Sequence, residues 1–162
     1  MMMYQFYDTD SSGTKDWDIQ GVDYQKLIHT CAQYTTIISM RVTYASNPYL
    51  HQMERFRLYE TDGVEFAYKH YYSRDDEKAM EEVRYYRLCP EVMDTLLCIS
   101  DSVFKWINAW GYRNPEDLAF YREDGTIFFD SIVHEGVCRL YPRDNENVQH
   151  IVQAQGWNKV IT

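Results

Sequence analysis

The stretch LAFYREDGTIFFDSIVHEGVCRLY, from Leu118 to Tyr141, decides the fold. β-Branched and aromatic residues crowd three short runs, 118–122, 126–133 and 137–141. Such residues suit a pleated, half-buried surface. Between the first two runs stands Asp124-Gly125, a two-residue turn signal, because both positions tolerate positive φ. Gly136 marks a second reversal, and Pro142 ends the last run. The spacing predicts a three-stranded antiparallel meander.

Upstream, Pro90 to Trp110 reads as one long helix. Proline is favoured in a first helical turn, and Glu91 and Asp94 complement the positive end of the helix dipole. Val92, Met93, Leu96, Leu97, Ile99, Val103, Phe104, Trp106, Ile107 and Trp110 form a broad apolar surface, and Gly111 is a stop signal. Val83–Leu88 reads as a strand. Phe56–Tyr59 and Val64–Tyr72, flanking Asp62-Gly63, read as a β-hairpin. Val22, Tyr24, Leu27, Ile28 and Cys31 follow a helical rhythm up to Tyr34, and residues 35–44 read as a strand. Residues 145–155 suit a short final helix. Residues 1–16 read as a turn or a frayed end. Within them Asp8 to Gly13 looks like the start of a calcium loop, but Ile19 stands where the bidentate Glu is needed.

Strands thus arrive in consecutive antiparallel groups. That pattern predicts an α+β fold over residues 1–162 as a single domain, a mostly antiparallel sheet packed against a long central helix. A chain of 162 residues is long enough for one such core.

Charge narrows the function. The chain carries 16 basic and 25 acidic residues, a net −9. The halves are alike: 8 basic and 13 acidic in residues 1–81, 8 and 12 in residues 82–162. No Lys/Arg footprint for a nucleic-acid backbone is present, and anionic membranes are disfavoured for the same reason. A basic partner is attracted. No apolar run approaches the roughly 20 residues that span a bilayer. The polar start after Met3 does not read as a secretory signal, so a cytoplasmic protein is expected, with Cys31, Cys89, Cys98 and Cys138 reduced. Fifteen tyrosines suit half-buried strands and recognition surfaces.

Catalytic signatures are missing. No GxSxG elbow and no Gly-rich phosphate loop occur. His134 and Cys138 are close enough in sequence to face each other, but read better as a strand-end histidine and a core thiol. His29, Cys31, His134 and Cys138 lack zinc-ligand spacing. The carboxylate pairs Asp75-Asp76, Glu81-Glu82 and Glu116-Asp117 read as solvated or capping groups, the last pair set to accept turn amides after Pro115. No catalytic residue, cofactor or metal is expected.

Residues 115–136 resemble a hairpin of small uncharacterised bacterial and phage proteins. The resemblance implies a small prokaryotic protein and carries over no site residue. In size and charge the chain is similar to bacterial immunity proteins and to phage counter-defence inhibitors, anti-CRISPR proteins included. The expectation is therefore a non-enzymatic acidic protein that binds and inhibits or modulates a protein partner, such as a basic nucleic-acid-handling enzyme. Its expected contact segment holds Tyr68, Tyr71, Tyr72, Asp75, Asp76, Glu77, Glu81 and Glu82. The alternative is a small enzyme or ligand binder with a Tyr-lined pocket near His134, Glu135 and Arg139. A homo-oligomer with tyrosine at its interface is a third reading.

Overall fold

A computed structural model of the chain describes residues 2–9, 12–13, 17–43, 52, 54–62 and 81–161. Among them eight strands form one antiparallel sheet: β1 (Met3–Tyr7), β2 (Ile37–Thr43), β3 (Glu60–Thr61), β4 (Glu81–Arg87), β5 (Glu116–Tyr121), β6 (Ile127–Ile132), β7 (Val137–Leu140) and β8 (Asn158–Val160). Their order across the sheet is β3-β4-β2-β5-β6-β7-β1-β8. Among the described residues there are three α-helices: α1 (Val22–Tyr34), α2 (Pro90–Ile99) and α3 (Gln149–Gln155). The architecture is α+β.

The meander forms where the sequence places it. Gly125 takes φ 83 in the first turn, and Asp124 Oδ1 accepts the Thr126 amide at 3.0 Å. At the second turn Gly136 takes φ 65 and closes a 3-10 turn, Val133–Glu135. That left-handed state favours glycine, and a side chain there would also have to push the Asp8 carboxylate aside.

One face of the sheet carries the main core. Tyr4 and Phe6 of β1, Ile38 and Met40 of β2, Tyr86 of β4, Leu118 and Phe120 of β5 and Leu140 of β7 pack with Leu27 and Ile28 of α1, Val92 and Leu96 of α2 and Ile151 of α3. A bulge lets β6 contribute more. The register runs from Phe120↔Phe129 to Tyr121↔Ile127, which inserts Phe128 as an extra residue. Phe128 then packs on Tyr34 at 5.4 Å, while Phe129 meets Phe120 at 6.0 Å. On the opposite face Ala119 and Tyr121 pack with Ile37, Tyr85 and Ile127.

The long central helix is not there. α2 ends at Ile99, and Ser100 is already extended at φ −137, ψ 154. Serine side chains bond the backbone in place of the helix. Ser100 Oγ donates to the Ser102 carbonyl at 2.8 Å, and Ser102 Oγ accepts the Phe104 amide at 3.1 Å. Segment 19–21 pairs with 101–103 through Val103 N to Ile19 O at 3.1 Å and Gly21 N to Asp101 O at 2.8 Å. Ser102 also donates to Asp18, and a 3-10 turn, Val103–Lys105, follows. Trp106 is still buried, its indole N–H donating to Tyr24 Oη at 3.0 Å while Tyr24 donates to the Leu96 carbonyl at 3.1 Å.

Further differences concern strands. Residues 57–59, expected as a hairpin arm, form a 3-10 turn, and only Glu60–Thr61 pair with β4. The other expected arm, 64–72, lies outside the described residues. β1 and β8 were not foreseen: β1 lies between β7 and β8, with Tyr4 opposite Leu140 on one side and Lys159 on the other.

Candidate functional site

β2 and β5 run in register from Ile37↔Tyr121 to Ser39↔Ala119, and then Arg41 stands opposite Glu116. Two residues of β2 thus span three of β5, the signature of a bulge. The extra residue takes its conformation at Asp117, where φ is 58, a left-handed state that Asp tolerates better than most residues. In a regular strand Glu116 and Asp117 would point to opposite faces. The bulge turns both toward Arg41. Arg41 Nη2 pairs with Glu116 Oε2, and Arg41 Nε lies 3.5 Å from Asp117 Oδ2. Glu116 is 9% exposed and Asp117 1%.

The other carboxylate oxygens hold two loops. Asp117 Oδ1 accepts the Val133 amide at 2.9 Å and fixes the 3-10 turn that carries His134 and Glu135. Glu116 Oε1 accepts the Asn108 amide at 3.0 Å and fixes the loop that follows Trp106. That loop is closed further by Asn114 N to Ile107 O at 3.2 Å, Asn114 Nδ2 to Lys105 O at 2.8 Å and Tyr112 N to Ala109 O at 2.9 Å. At its tip Trp110 has φ 53 and is 75% exposed. Left-handed backbone is an outlier for so bulky a residue. Tyr112, also exposed, has the Lys105 ammonium 5.7 Å from its ring centroid.

One carboxylate oxygen from each of Glu116 and Asp117 and one imidazole nitrogen of His134 lie within 4.8 Å of one another. The sequence reading placed the two carboxylates beside turn amides, and they accept such amides. It did not bring Arg41 or His134 to them, because a strand 75 residues away and a bulge make the meeting.

Of the residues expected to line a ligand pocket, His134 and Glu135 sit on the 3-10 turn and Arg139 on β7. His134 and Glu135 are exposed, His134 Nε2 4.0 Å from Glu135 Oε1. Arg139 lies on β7 with Nη1 3.9 Å from Asp130 Oδ2, an oxygen that also accepts Tyr141 Oη–H at 3.3 Å. Two of the open clefts are lined by described residues. The larger, about 540 Å³, lies where β2 begins and α2 starts, among Thr36, Tyr59, Thr61, Arg87, Cys89 and Glu91. Glu91 is held below the usual carboxylate range by its own backbone N–H and by the Cys89 thiol. The smaller, about 360 Å³, has Phe6, Trp17, Asp18 and Gln155 on its walls. Burial pushes the Asp18 carboxyl up, against the lowering effect of the Ser102 hydroxyl.

Cys31 and Cys138 are buried in the core and their thiols are pushed well up by burial, the wrong direction for a nucleophile. All four cysteines are free. Of the expected partner-binding segment, Tyr68, Tyr71, Tyr72, Asp75, Asp76 and Glu77 lie outside the described residues. Glu81 and Glu82 open β4, opposite Thr43 and Val42. Among the described residues no helix is long and apolar enough to cross a membrane. Comparison with protein-family models, with curated proteins and with solved structures gave no match.

Proposed function

We propose that this chain is a non-enzymatic acidic interaction protein that docks on a protein partner with a basic face and inhibits or modulates it, in the manner of an immunity-type or counter-defence inhibitor. The observation that carries the reading is Trp110. A tryptophan three-quarters exposed, in a left-handed backbone state, on a loop tied down by Asn108, Tyr112 and Asn114, is a fixed apolar anchor facing water. Tryptophan, tyrosine and arginine dominate binding hot spots, and a pre-set loop loses little entropy on docking. Tyr112 and Arg113 beside it supply the same chemistry. The net charge of −9 selects a cationic partner and speeds its approach. The acidic segment around Asp75, Asp76 and Glu77 belongs to this proposal as a second contact.

The experiment is association of the purified chain with the partner it captures from its source cell, compared with Trp110→Ala. The variant should keep its unfolding temperature and lose roughly 30-fold or more in affinity, since a hot-spot residue is worth about 2 kcal/mol or more. Raising salt should slow association of both proteins. Parental affinity in Trp110→Ala would remove the anchor and the reading with it.

A further inference from the structure

We infer that Glu116, Asp117 and His134 form a binding site for a first-row divalent transition ion, with Zn²⁺ its natural probe. The inference does not rest on the Trp110 reading, although Glu116 also holds the Trp110 loop.

The donor set is two carboxylate oxygens and one imidazole nitrogen, all within 4.8 Å. Three protein ligands of this kind, with a further position left for water, are the composition of open zinc sites. Imidazole among the donors favours zinc and its neighbours over magnesium or calcium, which take oxygen. The carboxylates are not surface acids of the common solvated kind, for both are buried. Their orientation is set before any ion arrives: Asn108 N–H and Arg41 hold Glu116, while Val133 N–H and Arg41 hold Asp117. Hydrogen-bonded carboxylates of this sort are how metal sites align their ligands. Each carboxylate oxygen has a second lone pair, so these bonds orient the groups without saturating them.

Tetrahedral donors with bonds near 2.0–2.1 Å stand about 3.3 Å apart, so the set must close by roughly 1.5 Å at most. His134 is the member that can move. It is half-exposed on a short turn, whereas both acids are fixed. The Arg41 guanidinium beside the carboxylates opposes a second cation, which sets the affinity below that of a structural zinc site.

Calorimetric titration of the full chain with Zn²⁺, in a Cys89→Ser/Cys98→Ser background that removes the two accessible thiols, tests the site. One ion per chain should bind, with a rise in unfolding temperature as the ion is added, and Mg²⁺ should give neither effect. His134→Ala should weaken Zn²⁺ binding at least about tenfold without changing the unfolding temperature of the metal-free protein. His134 is exposed, so the substitution leaves the core intact. No stoichiometric binding by the parent, or equal affinity in His134→Ala, would overturn the assignment.

Discussion

Arg122 shows how much one side chain holds. Its guanidinium is buried and bidentate to Glu146, Nε to Oε1 at 2.7 Å and Nη2 to Oε2 at 2.6 Å. It also donates to the carbonyls of Ile127 and Tyr141 at 2.6 and 2.7 Å, and lies 5.3 Å from the Phe128 ring centroid. One residue thus pins the first meander turn, the end of β7 and the loop before α3. A buried pair adds little over a good apolar packing, but removing one partner strands the other. Glu146→Gln should therefore cost about 3–5 kcal/mol, read from denaturant unfolding. The pH dependence follows from the same bond. Burial pushes the Glu146 carboxyl up, but Arg122 and the Arg143 amide outweigh it and hold it below its ordinary value of 4.5. A depressed carboxylate contributes stability that is complete above the unfolded pKa and is lost as pH falls through the folded one. The parent should lose stability as pH drops below about 4.5, and Glu146→Gln should show a shallower acid limb. Asp124, held well down by Arg143 and Thr126, shares that limb, but it is half-exposed and adds little. Acid limbs of equal slope would refute the linkage to Glu146.

The elements divide into those that carry their own instructions and those that borrow them. The 118–141 meander was legible because Asp124, Gly125 and Gly136 set its turns locally. α1 was legible from its apolar rhythm and stops near Tyr34 as read. α2 was legible at its start, where Pro90 and Glu91 act within one turn, but not at its end. Nothing in the apolar spacing beyond Ile99 says that Ser100 and Ser102 will bond the backbone and Asp18 instead. β1 and β8 were illegible because their partners are remote or short. The carboxylate cluster was half-legible: turn amides could be expected of Glu116 and Asp117, but a bulge that turns adjacent residues the same way has no local signature. The shortened α2 also redistributes burial. Leu96 is fully buried while Leu97 is only partly so. Leu96→Ala should cost about 2–5 kcal/mol through lost contacts and a cavity, and Leu97→Ala markedly less. A helix running on to Trp110 would bury Leu97 as well, so equal losses for the two variants would overturn this division of burial.

Across the whole molecule, the sheet joins near and distant segments unequally. β5, β6 and β7 follow one another through short turns, so their pairing closes small loops. β1 is different: it pairs Tyr4 with Leu140 and Met3 with Val160, so both ends of the chain meet in one sheet. Loop closure must be met before such contacts give any return, and non-local pairing is the slow part of folding. The meander should therefore be formed in the folding transition state, with β1 and β8 added after it. Phe129 on β6 and Phe6 on β1 are both buried aromatic residues of the same core, which makes them a fair comparison. Phe129 packs on Phe120 within the meander, while Phe6 meets Trp157 at 5.7 Å and Phe104 at 5.9 Å, both far from it in sequence. Leucine at either site should destabilise by more than the roughly 0.6 kcal/mol that a φ-value needs. Stopped-flow folding and unfolding across denaturant should show Phe129→Leu mainly slowing folding, with φ of about 0.5 or higher. Phe6→Leu should leave the folding arm nearly unchanged and speed unfolding, with φ near zero. A high φ at Phe6 with a low one at Phe129 would mean that the chain ends meet first, and the meander forms on a sheet already begun by β1.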